Sequence, residues 1–344
     1  MTTIGLACLF TSLTLVALPG EKEKHKLRVG HFPNLTHAQG VIGHGLSRAG
    51  QGWFEERLGP EVEIQWYVYN AGPTAMEAML AGSIELTYVG PNPALNAYLR
   101  SEGDEIRIVA GAASGGAALV VQPDGRIRQD KDFEGRRIAT PQLGNTQDVA
   151  ARAFLKSKGL RITQTGGDAL VLPTANPDQL TLFQKGDLDA VWTVEPWVTR
   201  LELEAQGKIY LEEKALWPET QGRYVTTHLV SSVEFLEEEP ELARRFVAAH
   251  VELTDWINAH PEEAKRLLNA EIEAETSKGI PPAVLERAWG RIEVTHDPVR
   301  ASLVRSARDA HAAGFLDEDP DLSRIYALET LNAVLARKGR PGVL

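Results

Sequence analysis

Cysteine is all but missing from this chain of 344 residues: there is one, Cys8. That count excludes a disulfide framework and a multi-cysteine metal centre. A basic face is missing too. With 36 lysines and arginines against 47 aspartates and glutamates, the formal net charge is -11, and no Lys/Arg cluster supplies the footprint of a nucleic-acid binder. The sequence has no repeat of fixed period and no low-complexity tract. It also lacks a Gly-x-Ser-x-Gly elbow, a His-Glu-x-x-His pair and a Walker loop. The usual nucleophile, zinc-hydrolase and nucleotide motifs are therefore absent, and no cofactor is expected.

Long hydrophobic runs are limited to one, residues 4–18, which is short for a membrane span. Pro19-Gly20 and a charged stretch from Glu21 to Lys26 follow it. The pattern reads as the apolar core of a secretory signal covering 1–20, although Met1-Thr2-Thr3 carries no positive charge. It implies an exported, periplasmic or extracytoplasmic chain that meets the membrane only through a partner. Apolar sequence on both sides of Cys8 argues against lipid attachment there.

The composition is that of a globular chain, 43% hydrophobic and 24% charged. From Leu27 onward, strand and helix patterns alternate. Val62–Val68 alternates at period two, as a half-buried strand does. Gly82, Gly159 and Gly186 close helical stretches. The small-residue segment 111–118 and the β-like segment 224–230 read as two crossings between sheets. Two βα series joined by two crossings predict an α/β fold with a cleft between two lobes. Lobe one would comprise 26–116 plus 224–344, and lobe two 117–223. From Glu239 the chain reads as almost wholly helical, and this region is expected to buttress lobe one.

Four segments share the order strand, short polar turn, helix start. They are 32–37, 89–92, 140–147 and 193–197. Ligands of open α/β sheets sit at such strand ends, where free helix N-terminal amides favour an anion. The same residues also serve as ordinary caps. The loops carry no Lys or Arg, so neutral donors would hold the solute.

The segments Leu27–Phe32, Ala75–Leu86, Tyr88–Pro93, Phe133–Thr140 and Leu188–Trp197, in this order and spacing, are those of a known family. The chain resembles the sulfonate/nitrate/taurine/bicarbonate family of substrate-binding proteins of ABC importers, over about Leu27 to Leu316. The resemblance implies a type 2 periplasmic-binding-protein fold, a two-lobed Venus flytrap with a helical C-terminal region. It implies a monomer that captures a small anionic or zwitterionic solute between its lobes. Closure then signals a permease with its ATPase. Gly144-Asn145-Thr146 matches the family turn that grips the anion, with Asn145 in place of a serine.

The candidate ligand residues are Asn34, Thr36, His37, Tyr88, Gly90 and Asn92 from lobe one. Lobe two supplies Gly144, Asn145, Thr146, Trp192 and Glu195. Tyr88, Trp192 and Trp197 would stack on a planar solute such as a pyrimidine precursor, or else fill the core. Glu195 either caps the helix after it or faces a solute amine, with capping the preferred role. Asp148 and Glu195 are an acid–base pair only if they converge, which would make the chain an enzyme on the same fold. His31, His37 and His44 have no carboxylate nearby in sequence, and no metal is expected there.

Overall fold

The protein is represented by a computed structural model that describes residues 24–316 and 320–343. The segment 1–20 read as a signal, with Cys8, lies outside the described residues. The first half of the chain gives β1 (His25–His31), α1 (Ala38–Arg48), α2 (Trp53–Leu58), β2 (Val62–Val68) and α3 (Gly72–Leu80). Next come β3 (Leu86–Val89), α4 (Pro91–Arg100), β4 (Ile106–Gly115), β5 (Ala117–Val121) and β6 (Arg137–Thr140). Then follow α5 (Thr146–Ser157), β7 (Leu170–Pro173), α6 (Asn176–Gln184), β8 (Ala190–Val194), α7 (Trp197–Ala205) and β9 (Lys208–Glu212). The remainder forms β10 (Val225–Ser232), α8 (Val233–Glu238), α9 (Pro240–Ala259) and α10 (Pro261–Thr276). It ends with α11 (Pro282–Trp289), β11 (Ile292–Val294), α12 (Arg300–Ala313) and α13 (Glu329–Arg337).

Two sheets organise these elements into two lobes. One has six strands in the order β11-β4-β10-β3-β1-β2, and the other five in the order β7-β6-β8-β5-β9. β1 runs parallel to β2 and β3, while β10 lies antiparallel between β3 and β4. The period-two pattern of β2 follows from its place at the sheet edge, where one face stays wet. Central strands such as β3 and β8 are buried on both faces and are mostly apolar, each with a single threonine.

Helices α3, α4, α6, α9, α10 and α11 carry proline in the first turn, where its missing amide costs nothing. These prolines start helices directly after strands or tight turns. They leave the α3, α4 and α6 N-termini at strand ends.

The chain passes between sheets at Gly115 and Gly116, whose φ values are +82° and +83°. A Cβ on Gly116 would lie 2.7 Å from Ile292 Cγ2, and one on Gly115 2.9 Å from the Arg291 carbonyl. Glycine is required here both for conformation and for room. The returning segment is bonded to the outgoing one: Ala117 N–H donates to the Tyr224 hydroxyl at 2.9 Å, and Gly115 N–H to the Tyr224 carbonyl at 3.2 Å.

The C-terminal helices do more than brace lobe one. α10 packs on α1, and α9 on α2 and α13, as buttresses of lobe one. α12, however, lies against α4 and α5, and α11 touches α7. Lys156 Nζ donates to the Ala312 carbonyl at 2.8 Å, and Arg305 pairs with Glu219 at 2.9 Å. The small residues on the buried side of α12 (Ser302, Ser306, Ala307, Ala310) permit its close packing on both partners.

Candidate ligand-binding cleft

Helix starts from both sheets open onto one cavity of about 840 Å³. From the six-stranded side come the β1–α1 loop (Phe32, Asn34, Thr36, His37), the α3 start (Asn70, Ala71, Gly72) and Gly90 before α4. The five-stranded side brings Gln142, Asn145 and Thr146 before and at the start of α5, Ala175-Asn176-Pro177 at α6, and Pro196 and Trp197 at α7. Thr276 at the end of α10, with Lys278, Gly279 and Ile280 just beyond it, completes the wall. The N-terminal amides of several helices thus surround one space, and their dipoles make it favourable for negative charge.

Short polar residues set these loops. Asn34 Oδ1 accepts from Thr36 N at 3.2 Å and from Thr36 Oγ1 at 3.4 Å. Asn145 caps α5, its Oδ1 accepting from Asp148 N at 2.9 Å, while its amide donates to Gln147 at 3.2 Å. Asp148 is fixed beneath this turn by Thr140 Oγ1 at 2.8 Å, Gly144 N at 3.0 Å and Arg152 Nε at 3.0 Å. The turn is therefore built before any solute arrives.

Three buried polar atoms of the cleft have no protein partner: His37 Nδ1, Gln142 Oε1 and Thr146 Oγ1. Burial, with His31 nearby, pushes the His37 pKa well below its ordinary value, so the ring is neutral and offers a hydrogen bond rather than a charge. An unmet buried polar atom costs about 1–3 kcal/mol. Three of them around one space make it the candidate place for a polar guest. Thr146 reaches across to the other lobe, for a Cβ on Gly90 would sit 2.5 Å from its Oγ1.

The charge inventory is one-sided. Among the described residues lining the cleft there is no aspartate or glutamate, while Arg200 and Lys278 are present. Arg200 is held by Glu204 at 2.8 Å and lies over the Trp197 ring. The exposed Lys278 is the cation that approaches without such a hold.

Six of the eleven candidate residues meet here: Asn34, Thr36, His37, Gly90, Asn145 and Thr146. The other five lie elsewhere. Tyr88 is fully buried, its hydroxyl donating to His250 Nδ1 at 3.1 Å while His250 Nε2 donates to the Gly111 carbonyl at 2.8 Å. Trp192 is likewise in the core and donates to Glu213 at 2.8 Å. Asn92 turns to the Ser306 carbonyl at 3.4 Å. Gly144 faces a separate hollow with Leu143 and Phe315. Glu195 accepts from Thr199 N at 3.0 Å and pairs with Arg291 at 2.9 Å, so it holds the first turn of α7. Burial outweighs those bonds and raises its pKa. Asp148 and Glu195 each answer to their own arginine and form no pair.

Several lining residues escaped the sequence reading. Asn70-Ala71-Gly72-Pro73 and Ala175-Asn176-Pro177 repeat the strand–turn–helix form and were open to detection. The 276–280 segment was not, because only the packing of α10 brings it to the strand ends.

Comparison with known proteins matches residues 20–272 to the model of the NMT1-like family. The taurine-binding periplasmic protein of Escherichia coli (strain K12) is 23% identical over 199 residues. That alignment spans 58% of this chain and 59% of the relative, so the chain covers less than two thirds of that protein's length. Among solved structures, the alkanesulfonate-binding protein SsuA from Xanthomonas axonopodis pv. citri, bound to MOPS, superposes with a TM-score of 0.70 at 19% identity. The match covers 89% of this chain and 99% of that one. The periplasmic nitrate-binding protein NrtA from Synechocystis PCC 6803 gives a TM-score of 0.71 at 12% identity, covering 92% and 89%. At these identities the structural likeness shows the two-lobed fold alone.

Proposed function

The chain belongs to the NMT1-like family, and from that premise we propose that it is the extracytoplasmic solute-binding component of an ABC importer. In this reading it captures a small organic anion by closure of lobe two (117–223) on lobe one (26–116 with 224–344). The observation that carries the reading is the convergence of helix N-termini and three unpartnered polar atoms on a cleft with no carboxylate among its described lining residues. Residues 1–20 would direct export. The closed monomer would then engage a permease and its ATPase.

The same inventory narrows the solute. A zwitterion is best served by a carboxylate facing its ammonium, and the described lining offers only neutral acceptors. Apolar walls (Phe32, Pro93, Leu180, Val194, Ile280) and a volume toward the upper end of ordinary ligand pockets suit an uncharged tail. An apolar-tailed sulfonate or a similar oxyanion fits better than taurine. A planar heterocycle is less well served: Tyr88 and Trp192 are core residues, and Trp197 is already covered by Arg200. The catalytic alternative has no nucleophile–base pair among the described lining residues.

A thermal-shift panel on the chain from Glu21 tests this reading. Alkanesulfonates should stabilise most, by about 2.7 kcal/mol at a hundredfold excess over Kd. Taurine stabilising more than ethanesulfonate would overturn the argument from the missing carboxylate. Stabilisation by neutral solutes alone, or turnover of the bound anion, would overturn the function.

A further inference from the structure

Behind the cleft wall, three chemistry-bearing side chains from distant parts of the sequence meet. His31 ends β1, His44 lies on α1 and Glu275 on the last turn of α10. His31 Nε2 is 3.0 Å from His44 Nδ1 and 3.1 Å from Glu275 Oε1, and His44 Nδ1 is 2.8 Å from that same oxygen. The side chains of His31 and Glu275 are 0% and 2% exposed, and that of His44 15%. Glu275 Oε2 is buried with no partner at all. None of this cluster belongs to the solute-contacting set described above.

Proton accounting makes the triangle unusual. The Phe32 carbonyl, 3.3 Å from His31 Nδ1, can only accept, so Nδ1 carries a proton and Nε2 is the atom turned to His44 and Glu275. Arg48 Nη2, 3.2 Å from His44 Nε2, can only donate, which puts the His44 proton on Nδ1. His31 Nε2, His44 Nδ1 and Glu275 Oε1 thus face one another across one small space, held together by shared protons when no metal is bound. A cation among the three satisfies them all. Ligands of a tetrahedral ion with bonds of ~2.0 Å stand about 3.3 Å apart, so the triangle needs to open only slightly. The His44 proton would move to Nε2, and Arg48, half exposed, would keep its two-pronged hold on Glu271. The Phe32 carbonyl already plays the outer part that fixes a ligating imidazole.

We propose that His31, His44 and Glu275 form a binding site for one divalent transition-metal ion of the zinc type, with a fourth position for water or the second carboxylate oxygen. Two imidazoles and one carboxylate suit such an ion and not magnesium or calcium. The ion is a strut. It ties β1 and α1 to the end of α10, and the residues just beyond it, Phe32 on one side and Thr276 and Lys278 on the other, line the cleft. The carboxylate is separated from the histidines by more than two hundred positions, which hid the cluster from a reading by spacing.

The test uses the full chain from Glu21, freed of metal with a chelator and titrated with zinc chloride and, separately, cobalt chloride. One equivalent should bind, raise the melting temperature and give the visible absorption of a four-coordinate cobalt ion. His44→Ala and Glu275→Gln should abolish all three while circular dichroism is retained. X-ray absorption on the zinc-loaded wild type, which needs no variant to fold, should show two imidazoles and no sulfur. Absence of stoichiometric binding, unchanged binding in both variants, or a zinc shell without two imidazoles would overturn the site. Solute affinity is not among the readouts, so failure here leaves the solute reading standing.

Discussion

At Gly90 the lack of a side chain is a requirement imposed by the other lobe. An added Cβ would lie 2.5 Å from Thr146 Oγ1. Gly90→Ala should therefore weaken solute affinity by about 1–3 kcal/mol, because the closed form must part at this point. Thr146→Ala should cost about the same through the lost buried hydrogen bond. The double variant should cost less than the sum, since removing the hydroxyl restores the room. Isothermal titration of the four proteins checks this, and strict additivity would place the two residues apart. A second residue has its own signature. Burial, against the bond from Trp192, raises the Glu213 carboxyl from its ordinary 4.5 to about 7. Between those values the folded protein holds a proton that the unfolded chain has released, so stability falls as pH rises through that window. Glu213→Gln removes the fall. Its stability should equal wild type below pH 4.5 and exceed it by up to about 3 kcal/mol above pH 7, as read by urea unfolding at each pH. Residue roles were the least legible part of the sequence. Tyr88 and Trp192 stand one position from cleft-side loops and look like stacking platforms. Only three dimensions reveal that His250 and Glu213 have already claimed their polar ends.

Among the elements, legibility followed local signals. Val62–Val68 is read with the same bounds from pattern alone, and glycines mark the ends of α3, α5 and α6. α2, β9 and β11 went unread. Each is short, and β9 and β11 are edge strands held by partners far along the chain. β11 matters most, for Ile292 and Arg291 press on the two crossing glycines. Gly116→Ala should destabilise the protein by about 1 kcal/mol or more, since alanine resists φ of +83° and meets Ile292. Urea denaturation measures it; a neutral result would show that the crossing relaxes without cost.

For the whole molecule, two βα series, one small-residue crossing and one β-like crossing were enough to read a pair of α/β lobes with a cleft. The reach of α12 onto α5 was not readable, because an amphipathic helix reveals which face is apolar but not which neighbour covers it. The cleft wall without carboxylates has one more consequence when set in a body of net charge -11. An approaching anion is repelled at long range and welcomed only at the helix ends. Added salt screens the repulsion beyond about 10 Å while hardly touching the dehydrated contacts within. Capture by stopped-flow should thus speed up with ionic strength, opposite to an electrostatically steered pair. In the proposed import cycle the same field would urge the anion outward once the lobes part, so the acidic exterior would assist delivery as much as it slows uptake.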